Sequence, residues 1–150
     1  MANERAYTSR RAGITTALAE KLAGIDGRGL FKQSVAETSP RLKFWDEVEE
    51  FPAIHLNAGA ETREYQGGGY KDRFLNVTVR CYVNEEDAVD ALEMLLEDVE
   101  TVIEDNNPIT YNTGLGVATT TIQTTINSID TDEGVLEPFG IGEIIATVQY

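Results

Sequence analysis

The sequence predicts an α+β fold: a mainly antiparallel β-sheet with two main α-helices packed against it, and a long β-hairpin arm. Three observations predict it. Leu75, Val77, Val79, Cys81 and Val83 alternate with Asn76, Thr78, Arg80 and Tyr82, the period of a strand with one core face. Ala88, Leu92, Leu95, Val99 and Val102 recur at helical spacing, and Val89, Leu96 and Ile103 widen that stripe enough to cover a sheet. No long linker, repeat or low-complexity tract divides the 150 residues, so residues 1–150 read as one domain.

The elements follow in chain order. Residues 8–25 read as a helix, with Ile14, Ala17, Leu18, Leu22 and Ile25 on one face and Glu20 and Lys21 on the polar side. Thr8 or Ser9 can cap its start, and Gly24 and Gly27 mark its end. Residues 29–37 are first-strand material. Residues 40–52 mix aromatics with acids and suggest a short helical turn over 44–49. A strand over 53–57 follows, with Ile54 and Leu56 inward, and Asn57, Ala58, Gly59 and Ala60 form a turn signal.

Residues 61–83 then read as the long hairpin. Gly67, Gly68 and Gly69 lie at its tip between Tyr65 and Tyr70, and consecutive glycines are entropically costly to order. The second helix is predicted over 85–105, with Asn84 as its cap and Asp87 completing a capping-box-like pair. Glu85, Glu86 and Asp87 suit the positive end of the helix dipole. Its outer face carries Asp90, Glu93, Glu97, Asp98, Glu100 and Glu104 with no basic residue at i, i+4. Asn106, Asn107 and Pro108 stop it. Residues 117–130 are β-prone, with Ile122, Thr124 and Ile126 on one side, and a turn follows at Asp132, Glu133 and Gly134. The last strand spans 143–150, where Ile144, Ala146, Val148 and Tyr150 alternate.

Charge is divided unevenly. Residues 1–80 hold all 12 Lys and Arg against 11 acids, a balance of +1, whereas residues 81–150 hold no cation and 15 acids, a balance of −15. That acidic half reads either as a solubility feature or as a surface that repels a polyanion or docks on a basic neighbour. Groove binding to nucleic acid is not expected, because it depends on Lys and Arg at phosphates. Cys81 is the only cysteine, so no internal disulfide forms. No segment resembles a signal peptide or a membrane span, so a soluble protein is expected.

The chemistry of catalysis is sparse. His55 is the only histidine and alternates with Ile54 and Leu56, which reads as a solvent-side or interface residue. Cys81 lies on the apolar face of a strand, as a small hydrophobe would. Gly114-Leu115-Gly116 and Gly140-Ile141-Gly142 lack the spacing of a nucleotide-binding loop. The run Asp130 to Gly134 approaches a calcium loop, but its glycine comes one position early and Ile141 stands where the terminal Glu is required. No catalytic residues, metal or cofactor are expected, and the chain reads as a structural protein.

The order of these elements resembles the tail terminator, or tail completion, proteins of tailed bacteriophages. The resemblance covers most of the chain. It lies in the N-terminal amphipathic helix, the strand start Phe51-Pro52-Ala53-Ile54, the alternating strand Leu75 to Val83 and the acidic helix Glu85 to Asp105. It continues in the Ile-x-x-Ile-Asp-x-Asp-x-Gly segment Ile126 to Gly134 and the closing strand Ile144 to Tyr150. The resemblance implies a virion protein, assembled in the host cytoplasm, that forms a homo-oligomeric ring, commonly a hexamer. The ring would cap the head-proximal end of the tail tube, stop its polymerisation and meet the head–tail connector. Its implied partners are further copies of itself, the tail tube protein and the connector or neck protein, with the tail sheath as a further candidate. DNA would only pass through the centre. On this reading Tyr65, Gly67, Gly68, Gly69 and Tyr70 are the candidate contact with the tube or an adjacent subunit. Glu93, Glu97, Glu100 and Glu104 are the candidate channel-facing acids. A neck adaptor and a small ligand-binding α+β domain are the alternatives.

Overall fold

Helix α1 (Arg10–Leu22) begins where the Ser9 hydroxyl accepts a hydrogen bond from the Ala12 amide at 3.1 Å. The computed structural model describes residues 9–43, 45–113 and 117–150, so Thr8, the other candidate cap, lies outside the described residues. A single 3₁₀ turn at Trp45–Glu47 stands within the helical turn expected over 44–49, of which residue 44 is likewise outside.

The main sheet has five strands: β1 (Glu37–Ser39), β2 (Ala53–Tyr65), β3 (Lys71–Asn84), β6 (Gln123–Thr131) and β7 (Phe139–Gln149). Their order is β1-β2-β3-β7-β6. β1 runs parallel to β2, and every other pairing is antiparallel. Between α2 (Ala88–Asp105) and β6, the short strands β4 (Thr110–Asn112) and β5 (Ala118–Thr120) pair as a separate hairpin that the sequence pattern did not reveal. This is the expected α+β architecture.

Both helices cover one face of the sheet. Ile54, Leu56, Leu75, Val77, Val79, Cys81, Val83, Ile144 and Val148 point into that layer from the strands, and Ile14, Leu18, Leu22, Leu92, Leu95 and Val99 meet them from the helices. Each such Leu, Ile or Val contributes about 1.5–3 kcal/mol on burial. The Gly-Ile-Gly run lies inside β7 and permits this packing. A Cβ on Gly140 would stand 2.8 Å from Val83 Cγ2, and one on Gly142 would stand 3.0 Å from Leu96 Cδ2.

Several expectations change. Residues 29–36 form no strand of the sheet; the Lys32 and Gln33 amides bind the Asp98 carboxylate instead of a ladder partner. Residues 57–60 do not turn. β2 continues through them with a bulge, its register passing from Ala58 opposite Val77 to Glu61 opposite Leu75. Asn84 does not cap α2, because it is still paired with Phe139 at the end of β3. Asp87 caps the helix, accepting from the Asp90 amide at 3.2 Å. β7 begins at Phe139, four residues before the expected start. Val89 and Ile122 are 44% and 59% exposed, since Val89 rims the helix and Ile122 precedes β6 rather than joining its inward row with Thr124.

His55 is the clearest correction. It is fully buried, not solvent-facing. The second face of the sheet has its own small core at this end, where Val48, Ala53 and Tyr82 pack with Phe51 and Ile141. His55 sits beside it, 5.2 Å from the Tyr82 ring centroid, and its Nε2 lies 2.7 Å from Glu37 Oε2. Alternation at 53–56 therefore fails as a guide to exposure, because both faces of β2 are covered there.

Candidate functional site

The tip of the β2–β3 hairpin is built from Gln66 to Tyr70. The Gln66 amide donates to the Tyr70 carbonyl at 2.7 Å and closes the loop. Gly68 and Gly69 adopt φ of 78° and 84°, a left-handed conformation that side-chain-bearing residues rarely take. Tyr65 and Tyr70 are 73% and 75% exposed, and Lys71 Nζ stands 5.7 Å from the Tyr65 ring centroid. β3 is paired with β7 from Phe74 onward, so the pairs Arg63–Arg73, Glu64–Asp72 and Tyr65–Lys71 extend past β7 toward the tip. The five candidate contact residues thus lie together at one end of the sheet.

The four candidate acids of α2 do share a surface. Glu93, Glu97 and Glu104 are exposed and Glu100 is half-buried. Glu93, Glu97, Glu100 and Leu96 line an open groove against Ile129 of β6. Glu97 is not unpaired: Lys32 Nζ lies 3.0 Å from its carboxylate. Asp98, read from the sequence as part of the outer face, is buried at 1% exposure. It accepts from the Lys32 amide at 3.0 and 2.9 Å and from the Gln33 amide at 2.7 Å.

A third cluster, drawn from α1, β2, β3, β4 and the residue that follows β7, was not visible in sequence. The Tyr150 hydroxyl donates to Glu61, and Arg63 Nε binds the same carboxyl group at 2.7 Å. The guanidinium groups of Arg10 and Arg73 lie 4.9 and 5.4 Å from the Tyr150 ring centroid. Arg10 also donates to the Tyr111 hydroxyl at 3.0 Å. Burial works against a charge on Glu61, but the hydrogen bonds from Tyr150 and Arg63 outweigh it and hold its pKa below 4.5. Burial and then the bond to Glu61 push the Tyr150 phenol up to about 12. No motif spacing links residues 10, 61, 73 and 150; the pairing of β2, β3 and β7 and the seating of α1 against the sheet bring them together.

Two further chemical candidates, Cys81 and Asp132, serve the fold. Cys81 is buried, and desolvation raises its thiol to about 12, which removes thiolate chemistry at neutral pH. Asp132 spends its carboxylate on the Leu136 and Ile141 amides, at 3.2 and 3.3 Å, and so holds the β6–β7 turn. Gly114-Leu115-Gly116 lies outside the described residues. Among the described residues, no group of His, Cys, Asp and Glu could hold a metal ion, and no helix is long and apolar enough to cross a membrane.

Two comparisons bear on this arrangement. The family model for the Bacteriophage Tail Tube Terminator Protein matches residues 5–150. The tail tube terminator protein p142 of Escherichia phage T5 is 28% identical over 148 residues, a span covering 95% of this chain and 92% of the relative.

Proposed function

This chain belongs to the bacteriophage tail tube terminator family, and we propose that it ends the tail tube as a ring of six copies. The ring caps the head-proximal end of the tube, stops its polymerisation and joins it to the head–tail connector, with DNA passing through the centre. The observation that carries this reading is the family match over residues 5–150, which leaves almost no part of the chain outside the terminator pattern. The working partners are therefore other copies of the chain and the tail tube protein, and the working location is the tail of the virion.

Two surfaces divide the work in this reading. The hairpin tip meets the tube or the adjacent subunit through Tyr65 and Tyr70, with Gly67, Gly68 and Gly69 letting the loop adapt. Exposed tyrosines suit such a contact because they bring large area at low conformational cost. Glu93, Glu100 and Glu104, with Glu97 partly offset by Lys32, face the channel and keep phosphate from adhering to the wall.

The test is negative-stain electron microscopy with mass determination on the purified protein, alone and with tube protein added. Rings with an open channel, or rings that form on tube ends, are the expected result. A monomer that neither forms rings nor binds tube ends would overturn the reading.

A further inference from the structure

The β2–β3 hairpin has two unlike faces near its tip. Residues directly opposite in an antiparallel pair share a face. Glu61 stands opposite the core residue Leu75, Arg63 opposite Arg73 and Tyr65 opposite Lys71, so these six lie on the side of the sheet that the helices cover. Glu64 stands opposite Asp72 on the other side. The start of α1 brings Arg10 to the Tyr150 ring and Arg11 to the carbonyls of Ala58 and Gly59. Arg10, Arg11, Arg63, Lys71 and Arg73 therefore gather on one face with a single carboxylate, Glu61, in a chain whose net charge is −14.

The fold does not balance that excess. Arg63 takes Glu61 at 2.7 Å, and Arg11 is held by the two carbonyls. Among the described residues no ion pair holds Arg10, Lys71 or Arg73. Arg10 and Arg73 stand at the Tyr150 ring and Lys71 at the Tyr65 ring, which orients a cation without neutralising it. Nε of Arg73 is buried with no acceptor. Arg63 and Arg73 are directly opposite, and like charges so placed destabilise a strand pair. A carboxylate arriving from outside offsets that repulsion.

Charge also selects the occupant. Residues 81–150 hold 15 acids and no Lys or Arg, so contacts between two copies through that half set acid against acid. The helix-side face of the hairpin end meets the same half of another copy without that cost. The ring reading places such a copy beside every hairpin. Tyr65, 73% exposed on the same face, adds the aromatic area that interface centres favour.

We propose that Arg10, Arg63, Lys71 and Arg73, with Tyr65, form a face that receives Asp and Glu side chains from the cation-free half of an adjacent copy. The proposal rests on the ring reading above and gives the hairpin contact its partner and its chemistry.

Charge substitution tests it. One variant carries Arg10→Gln and Lys71→Gln; the other carries Arg10→Glu and Lys71→Glu. Neither removes an ion pair of the described residues. Circular dichroism monitors the fold, and sedimentation velocity reads assembly at low and high salt, with and without tube protein. The neutral pair needs a higher protein concentration than wild type to form the ring-sized species, the reversed pair loses it, and salt weakens the wild-type assembly. If the reversed pair does not fold, the neutral pair carries the test alone. A folded variant of either kind that assembles as wild type does would overturn the proposal while the ring stands. Normal rings that no longer bind tube ends, or no longer retain a labelled DNA duplex that wild type binds, would also overturn it. The face would then belong to an acidic tube surface or to phosphate. A wild type that stays monomeric with tube protein present would remove the ring reading itself, and this contact with it.

Discussion

Asp98 of α2 and the backbone amide of Lys32, 66 positions apart in sequence, are joined by hydrogen bonds of 3.0 and 2.9 Å to the two carboxylate oxygens. The Gln33 amide adds a third at 2.7 Å. A buried carboxylate on the helix thus fastens the loop that follows α1. Asp98→Ala leaves those amides without their acceptor, an expected loss of about 1–3 kcal/mol. Asp98→Asn keeps an acceptor and loses less. Urea unfolding of both variants checks this, and equal midpoints for wild type and Asp98→Ala would show that the loop does not depend on the contact.

Gly13 sets helix propensity against packing. Alanine in an exposed helix interior is favoured over glycine by about 1 kcal/mol. Here a Cβ would stand 2.5 Å from the Asn112 carbonyl oxygen, which is backbone, and 3.3 Å from the Tyr111 ring. Gly13→Ala is expected to destabilise by about 1–3 kcal/mol, read as a lower melting temperature. A higher one would mean that α1 does not sit on β4 so closely.

The Tyr150–Glu61 pair makes stability depend on pH in two windows. Glu61 titrates below 4.5 in the folded protein, so its contribution is complete above that value and is lost as pH falls through the lower folded value. The Tyr150 pKa rises from 10.0 to about 12, so its contribution is complete below 10.0 and is lost as pH climbs toward 12. In Tyr150→Phe both slopes should become shallower relative to wild type. Melting temperatures across both windows provide the measurement, and parallel curves would dissociate the pair from stability.

The hairpin tip should affect assembly before fold. Deleting Gly67, Gly68 and Gly69, or combining Tyr65→Ala with Tyr70→Ala, removes exposed groups only. Exposed substitutions of this type usually change stability by no more than about 0.5 kcal/mol. Tail formation is expected to fall sharply with the melting temperature of the double tyrosine variant near wild type. Normal tails from both variants would make the tip ordinary surface.

Replacing Glu93, Glu97, Glu100 and Glu104 with Lys should slow DNA passage by turning a repulsive wall into an attractive one. The loss of the exposed Lys32–Glu97 pair is a minor part of the effect, since such pairs contribute about 0–1 kcal/mol. Ejection rate and infectivity are the readouts, and normal infectivity would put these acids on an outer wall.

Sequence alone determined the elements whose apolar period runs long enough to report a single covering layer. The stripe from Ala88 to Ile103, Val89 apart, and the alternation of Leu75 to Val83 and Ile144 to Tyr150 each record which side meets the main core, although Tyr82 is buried on the second face. The charge division at Arg80 was equally legible. Three consecutive glycines also marked the turn between β2 and β3, because a turn is specified by neighbours in the chain.

Tertiary structure decided what depends on partners far away in sequence. Asp98 reads as one more surface acid until the Lys32 and Gln33 amides approach it. His55 reads as outward until Glu37 and Tyr82 close the second face of β2. Gly59 and Ala60 read as a turn until β3 holds β2 straight through a bulge. Apolar burial leaves a local period because one layer covers many consecutive residues. A buried polar atom is stabilised by a few specific partners, and only the assembled fold decides which residues supply them.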